Sequence, residues 1–246
     1  MELEVNGRSV ATYVVEEPRP YLHPMRTLGG VVVTDVEPED HKWHMGLSLA
    51  VQDVNGTNLW GGRTYVRGQG YTWLDDHGTM THEGFDHADA GRIVQRLTWR
   101  DKDGKPLLHE LRTITASAVD SASWALELKW ALTAPERVVF GSPTTNGREW
   151  GAGYGGCFLR IAPGPSPVVT AGSLTGEDEV NGSDDPSLEW RSPEFRLHMT
   201  SGPRWFVRTS MYPGVCAAWA FDQVMVIEAG DTWEGAFRLV VSDVSS

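Results

Sequence analysis

The sequence predicts an all-β protein: a large antiparallel β-sandwich, of the supersandwich or jelly-roll kind, with little helix. Short apolar runs are punctuated throughout by turn-forming residues, 27 glycines and 14 prolines among 246 residues. No 3.6-residue apolar period persists for the roughly 10 to 12 residues that a capped helix needs. Between Trp124 and Leu132 the alternation is strict, which puts Trp124, Leu126, Leu128, Trp130 and Leu132 on one side of a strand. No linker or internal repeat divides the chain, so residues 1–246 read as one domain.

The elements follow from local chemistry. Asn6-Gly7 between LEV and VATYVV is a two-residue hairpin signal. The segment EEPRP keeps the chain extended, because each proline removes an amide donor and biases its predecessor away from helix. Tyr21 to His23 predicts a short strand, Gly29-Gly30 a turn, and VVVTDV a fully apolar strand. A polar loop at Glu37 to Asp40 precedes the strand Gly46 to Val51, and Asn55-Gly56 signals another turn. Arg63 to Asp89 reads as short strands and mobile loop. Arg92 to Arg100 and Leu107 to Thr115 pair across Asp103-Gly104, with Leu108, Glu110, Arg112 and Ile114 sharing one face. Further strands are expected at Val138 to Phe140 and Cys157 to Ile161, followed by an acidic loop around GEDEV. The last are expected near Phe195–Met199, Trp205–Thr209, Ala217–Phe221, Val224–Ile227 and Trp233–Val241.

Composition narrows the function classes. A formal charge of −12 disfavours non-specific nucleic-acid or anionic-membrane binding, both of which need a positive surface. The opening MELEVNGRSVATYVV lacks the basic and apolar regions of a secretory signal, and no run approaches the roughly 18 apolar residues of a spanning helix, so a soluble, cytoplasmic protein is expected. Cys157 and Cys216 form no CxxC pair and read as free buried thiols. Neither a phosphate-binding glycine loop nor a GxSxG elbow is present.

The chemistry is expected where histidines gather. The stretch Pro20 to Gly62 holds three of the eight: His23, His41 and His44. On a strand the i, i+3 pair His41 and His44 would diverge, whereas on a turn the two side chains converge. Together with His23 they suit acid–base catalysis near neutral pH. Asp40 or Glu110 could complete a divalent-metal site, although no definite ligand spacing calls for one. Glu110 and Arg112 share a face with the apolar neighbours Leu108 and Ile114; if that face is interior they must pair or serve a ligand, as a general base with a substrate clamp, and if it is solvated they form a structural ion pair. Asn58, Trp60 and Tyr154, with Trp43 and Trp73, offer the stacking and hydrogen-bonding groups that sugar sites use. Arg26 and His82 are further candidates for substrate contact.

The motifs PYLHPMRTLGG, DHKWHMGL, NGTNLW, LLHELRT, AGYGGCFLR and YPGVCAAWAF make the chain similar to a bacterial family of soluble proteins labelled PmoA-like. The methane oxygenase in that label is a membrane protein, which this acidic chain does not resemble. The resemblance implies a β-sandwich and an association with sugar oxidoreductases. The function expected is therefore a soluble enzyme acting on a sugar or sugar derivative by His/Glu acid–base chemistry, of the mutarotase, epimerase, lyase or hydrolase type, without an obligatory cofactor. Two alternatives are a non-catalytic carbohydrate-binding module and a metal-dependent jelly-roll enzyme. A deep pocket favours an enzyme, and a shallow aromatic platform a binder.

Overall fold

The computed structural model describes residues 1–165, 167–202 and 204–244. Strands dominate it. The first eleven are β1 (Glu2–Val5), β2 (Arg8–Val14), β3 (Tyr21–Met25), β4 (Leu47–Ala50), β5 (Asp53–Val54), β6 (Thr64–Val66), β7 (Gly70–Thr72), β8 (Thr79–Ala88), β9 (Arg92–Arg100), β10 (Pro106–Ala118) and β11 (Ser123–Thr133). Next come β12 (Val138–Gly141), β13 (Gly156–Arg160), β14 (Val168–Ala171), β15 (Leu174–Thr175) and the single helical turn α1 (Glu177–Val180). The chain closes with β16 (Ser187–Arg191), β17 (Phe195–Thr200), β18 (Arg204–Arg208), β19 (Gly214–Ala218), β20 (Met225–Ile227) and β21 (Thr232–Asp243).

Two antiparallel sheets carry the architecture. One has seven strands in the order β1-β2-β3-β4-β13-β19-β18, and the other nine, β15-β14-β16-β17-β21-β11-β10-β9-β8. A three-stranded sheet, β20-β12-β5, and the hairpin β6-β7 complete it. One core cluster joins the two large sheets, with Tyr13, Leu22 and Leu49 from the seven-stranded sheet and Trp99, Trp124 and Phe237 from the nine-stranded one. This is the face-to-face packing that buries the apolar stripe of alternating strands. The inward set of β11 is the one its alternation predicts: Trp124, Leu126, Leu128, Trp130 and Leu132 are all buried.

Several predicted elements differ, each for a local reason. VVVTDV forms no strand ladder, because its residues bond to different partners in turn: Val32 bridges Arg26, Thr34 bridges Ile161, and Val36 bridges Met45. The stretch read as short strands and mobile loop holds the short strands β6 and β7 but also the ten-residue strand β8, which pairs with β9 and is exposed on both faces towards its end, so it shows no alternation. The acidic GEDEV segment holds α1. The strand placed at Ala217–Phe221 lies earlier, at Gly214–Ala218, and leaves the sheet where the Trp219 amide donates to the Gly155 carbonyl, 2.9 Å.

The feature that positions the site is that the centre of the seven-stranded sheet is covered on both faces. Every residue of β4, β13 and β19 is buried. Parity divides them. Leu49, Cys157, Leu159, Val215, Ala217 and Val207 face the main core, whereas Ala50, Phe158, Cys216, Ala218 and Phe206 belong to a second cluster on the outer face. Trp60, Tyr212 and Phe221 arrive from loops to complete that second cluster, with Trp43 and Tyr154 packed against it.

Candidate functional site

A cavity of about 540 Å³ lies over this second cluster, walled by Trp43, Trp60, Tyr71, Trp73, Tyr154, Phe206 and Tyr212. Its polar lining is Asp40, His41, His44, Arg63, Arg148 and Arg208. A second cavity of about 570 Å³ shares Arg148 and Arg208 with it and is lined further by Trp150, Glu177 and Asn181.

Two successive turns bring the histidines together. The His41 amide donates to the Pro38 carbonyl at 3.0 Å, and the His44 amide to the His41 carbonyl at 2.9 Å. The i, i+3 side chains therefore converge, and the imidazoles stack with centroids 4.6 Å apart and planes 16° from parallel. Tyr212 packs against both rings, 4.6 Å from His41 and 5.0 Å from His44. Phe158 supports His44 from beneath at 4.7 Å, and Trp60 meets it edge-on at 5.6 Å.

The two histidines differ electrostatically. His41 Nδ1 lies 2.8 Å from Asp40 Oδ2. Burial raises the Asp40 carboxyl, but the His41 hydrogen bond and the charge of Arg160 outweigh it and hold the group below its usual range. A carboxylate only accepts, so His41 carries a proton on Nδ1, and in the neutral ring the lone pair is then on Nε2. His44 is almost fully buried. Burial first, and then the neighbouring His41, Arg160 and Arg19, push it down to about 2, so it stays neutral. Its Nδ1 is 3.5 Å from Arg160 Nη1. Guanidinium only donates, so the His44 proton belongs on Nε2. Arg160 also reaches Asp40 at 3.2 Å and thus ties the two histidines' partners together from β13.

The aromatic walls rest on turns. Asn58 is buried and organises the turn after it: Oδ1 accepts the amides of Trp60 at 3.0 Å and Gly61 at 2.9 Å, while Nδ2 donates to Thr64 Oγ1 at 2.9 Å. Trp43 lies directly on Gly61 and Gly62, where a Cβ would collide with its ring. Tyr154 stacks at a tilt on Trp60, 4.6 Å between centroids, and donates its hydroxyl proton to the Tyr71 hydroxyl at 3.1 Å.

The cavity thus gathers Asp40, His41, Trp43, His44, Trp60, Trp73 and Tyr154 from the sequence candidates, and Asn58 stands behind them as a loop support. The others lie elsewhere. His23 is half-buried with Nδ1 3.0 Å from Thr34 Oγ1, on β3 away from the cavity lining. The Arg26 amide and carbonyl are engaged by Val10 and by Trp124 Nε1, and its side chain does not line the cavity.

Glu110 and Arg112 point into the main core, on the far side of the seven-stranded sheet, so neither can share a pocket with the histidines. Arg112 grips the carboxylate with Nε at 2.6 Å and Nη2 at 2.9 Å. Trp99 Nε1 donates to the same carboxylate at 2.7 Å, and Arg112 Nη1 reaches the Tyr13 hydroxyl at 3.2 Å. Tyr13 bonds Gln95, whose amide meets His82 Nδ1 at 2.7 Å. His82 therefore ends an inter-sheet polar network rather than entering the cavity. The arginines 63, 148, 160 and 208 are functional candidates that the sequence does not single out; Asp40 is a candidate there only as a metal ligand, and its adjacency to His41 is the one signal of the pair they form.

Among the described residues no group of three or more His, Cys, Asp or Glu is arranged to hold a metal ion. Cys157 and Cys216 are free and buried. Among the same residues, no helix is long and apolar enough to cross a membrane.

Comparison with known structures shows a likeness of fold. The chain is similar to a "putative aldose 1-epimerase" from Escherichia coli K12, with TM-score 0.50 at 9% identity over 99% of this chain and 98% of that one. A GalM/aldose epimerase homologue from C. elegans aligns over 100% of this chain and 99% of its own, with TM-score 0.49 and 8% identity. A comparison with curated proteins gives no match. The β-sandwich is thus of the kind seen in the first of these structures, and identities this low speak for the fold alone. Residues 1–246 match one family model throughout, and the chain belongs to that family, DUF6807, described as a family of unknown function.

Proposed function

We propose that this protein is an enzyme that moves a proton at or beside the anomeric or carbonyl carbon of a sugar derivative. The observation that carries the proposal is the pair of stacked histidines on the floor of an aromatic cavity, one joined to Asp40 at 2.8 Å and the other held neutral. His41 Nε2 is the base. It takes a proton from a hydroxyl or from the carbon next to a carbonyl, and Asp40 stabilises the imidazolium that results. The neutral His44 donates from Nε2–H to the oxygen that gains negative charge, a role for which a low imidazolium pKa is an advantage. Indole and phenol rings suit the apolar face of a pyranose. The likeness in fold to a protein described as an aldose epimerase adds support by analogy.

The test is proton-exchange NMR in heavy water, with the purified chain and a panel of aldoses, keto-sugars and their acids. At least one member is expected to show protein-dependent exchange or interconversion, lowered about 100-fold or more by His41→Gln. Exchange that survives in His41→Gln, or binding without turnover across the panel, would overturn the catalytic reading.

A further inference from the structure

We propose, resting on the sugar-derivative reading above, that the ligand is anionic: a sugar carrying a carboxylate or phosphate, seated on Arg148 with Arg63 beside it. The sign of the cavity opposes that of the molecule. A chain of net charge −12 gathers three arginines, 63, 148 and 208, around one cavity whose single carboxylate is Asp40. Asp40 is already committed to His41 and Arg160. It cannot also neutralise the cavity arginines.

The three arginines are not equivalent. Arg208 is occupied: Nη2 donates to the Gly151 carbonyl at 2.7 Å, and Nη1 lies 3.8 Å from the Glu177 carboxylate. Among the described residues, neither Arg63 nor Arg148 forms an ion pair. Arg148 is nevertheless held in place. Its Nη1 donates to the Tyr71 hydroxyl at 3.0 Å, and that hydroxyl also accepts from Tyr154 at 3.1 Å. A planar guanidinium oriented by neutral partners, with donors left over and no counter-charge, suits an oxyanion that it can bind bidentately. A neutral sugar needs no such group, and its hydroxyls would leave the cationic charge uncompensated as the cavity closes on ligand.

The site also spans a junction, because Arg148 lines both the histidine cavity and the cavity beside it. An anion bound there lies between the aromatic chamber that holds the histidines and a chamber lined by Trp150 and by the carboxylates Glu149, Glu177 and Asp178, of which Glu177 is engaged by Arg208, so the acid group is seated on the histidine side of Arg148. The reacting part of the ligand occupies the first, and the acid group marks its end.

Titration calorimetry on the full chain at low ionic strength tests this with matched sets: glucose, galactose and mannose, their uronates and their 6-phosphates. One anionic member is expected to bind about 10- to 100-fold tighter than its neutral parent, the worth of a charged hydrogen-bonded contact. Arg148→Met should reduce that member to the affinity of its parent, and added salt should act in the same direction. The uronate and phosphate arms tell the two anion sources apart. Arg63→Met, at an exposed position, provides a second variant if Arg148→Met fails to fold, and is expected to lower the anion preference in part. Neutral parents binding as tightly as their acids, no anionic member binding, or an anion preference unchanged in both variants would overturn the proposal. The two readings fail separately: anion binding without turnover removes catalysis alone, and turnover of neutral sugars with no anion preference removes the anion seat alone.

Discussion

His41 and His44 share a turn, a stacking contact and a neighbour in Arg160, yet their surroundings assign them different tasks. Asp40 gives His41 a fixed proton on Nδ1 and a basic Nε2, whereas burial leaves His44 a neutral hydrogen-bond donor. Asp40→Asn removes the charge that would stabilise the imidazolium and permits the wrong tautomer of His41. It is expected to lower kcat about 100- to 10,000-fold with little change in KM, measured on the substrate that the exchange screen identifies. An equal rise in KM with kcat unchanged would make Asp40 a binding group instead. The histidine pair was legible in the sequence because an i, i+3 pair diverges on a strand but can meet on a turn or a single helical turn, and a polar loop precedes it. Arg160 and Arg148 were not, since a single arginine carries no spacing and their relation to the histidines exists only once β13 and its preceding loop are placed.

Single elements set the walls of the site. The turn Asn58 to Gly62 is fixed by one buried amide, and its two glycines leave the surface on which Trp43 lies. Gly62 has φ +69°, so an alanine there is strained and also pushes the indole off its seat. Gly62→Ala is expected to weaken ligand binding by about 1 kcal/mol through loss of the Trp43 stacking surface, read by calorimetry, and to shift the tryptophan emission. The element scale also explains what the sequence revealed and what it hid. β11 alternates because one of its faces is buried and the other is not, and its inward residues were read correctly. β4, β13 and β19 are buried on both faces, so parity could not show that Phe158 and Cys216 face a second cluster and not the core. The sequence puts Glu110 and Arg112 on one face with apolar neighbours, but a strand's own pattern does not say whether that face is solvated or buried, nor which of two interiors it enters.

At the scale of the whole molecule, the sandwich separates stability from function. The Glu110–Arg112 pair, with Trp99, Tyr13, Gln95 and His82, crosses the main core and contacts neither histidine of the cavity. Glu110→Gln leaves a buried guanidinium without its counter-charge, so a stability loss of about 3 to 5 kcal/mol is expected in urea unfolding. The activity of the fraction that remains folded should be unchanged. A variant of full stability that lost activity would move Glu110 back into the site. The main fold was legible from turn signals and alternation, since those record a sheet facing one core; the site was only half legible, since it forms where loops from distant segments cover a sheet's other face.

The claim that the rest depends on is the division of labour between His41 and His44, and it can be measured without knowing the substrate. Long-range proton–nitrogen NMR on the labelled full chain reports the tautomer and charge of each ring. His41 is expected to be protonated on Nδ1 and His44 on Nε2 at neutral pH. His44 should then remain neutral as the pH falls well below the ordinary histidine value of 6.5, because its own value is about 2. The unfolded chain takes up that proton near 6.5 and the folded chain does not, so the contribution of His44 to stability is complete above 6.5 and is lost progressively between 6.5 and about 2. A His44 that becomes an imidazolium near 6.5 in the folded protein, or that carries its proton on Nδ1, would overturn the division of roles between the two histidines.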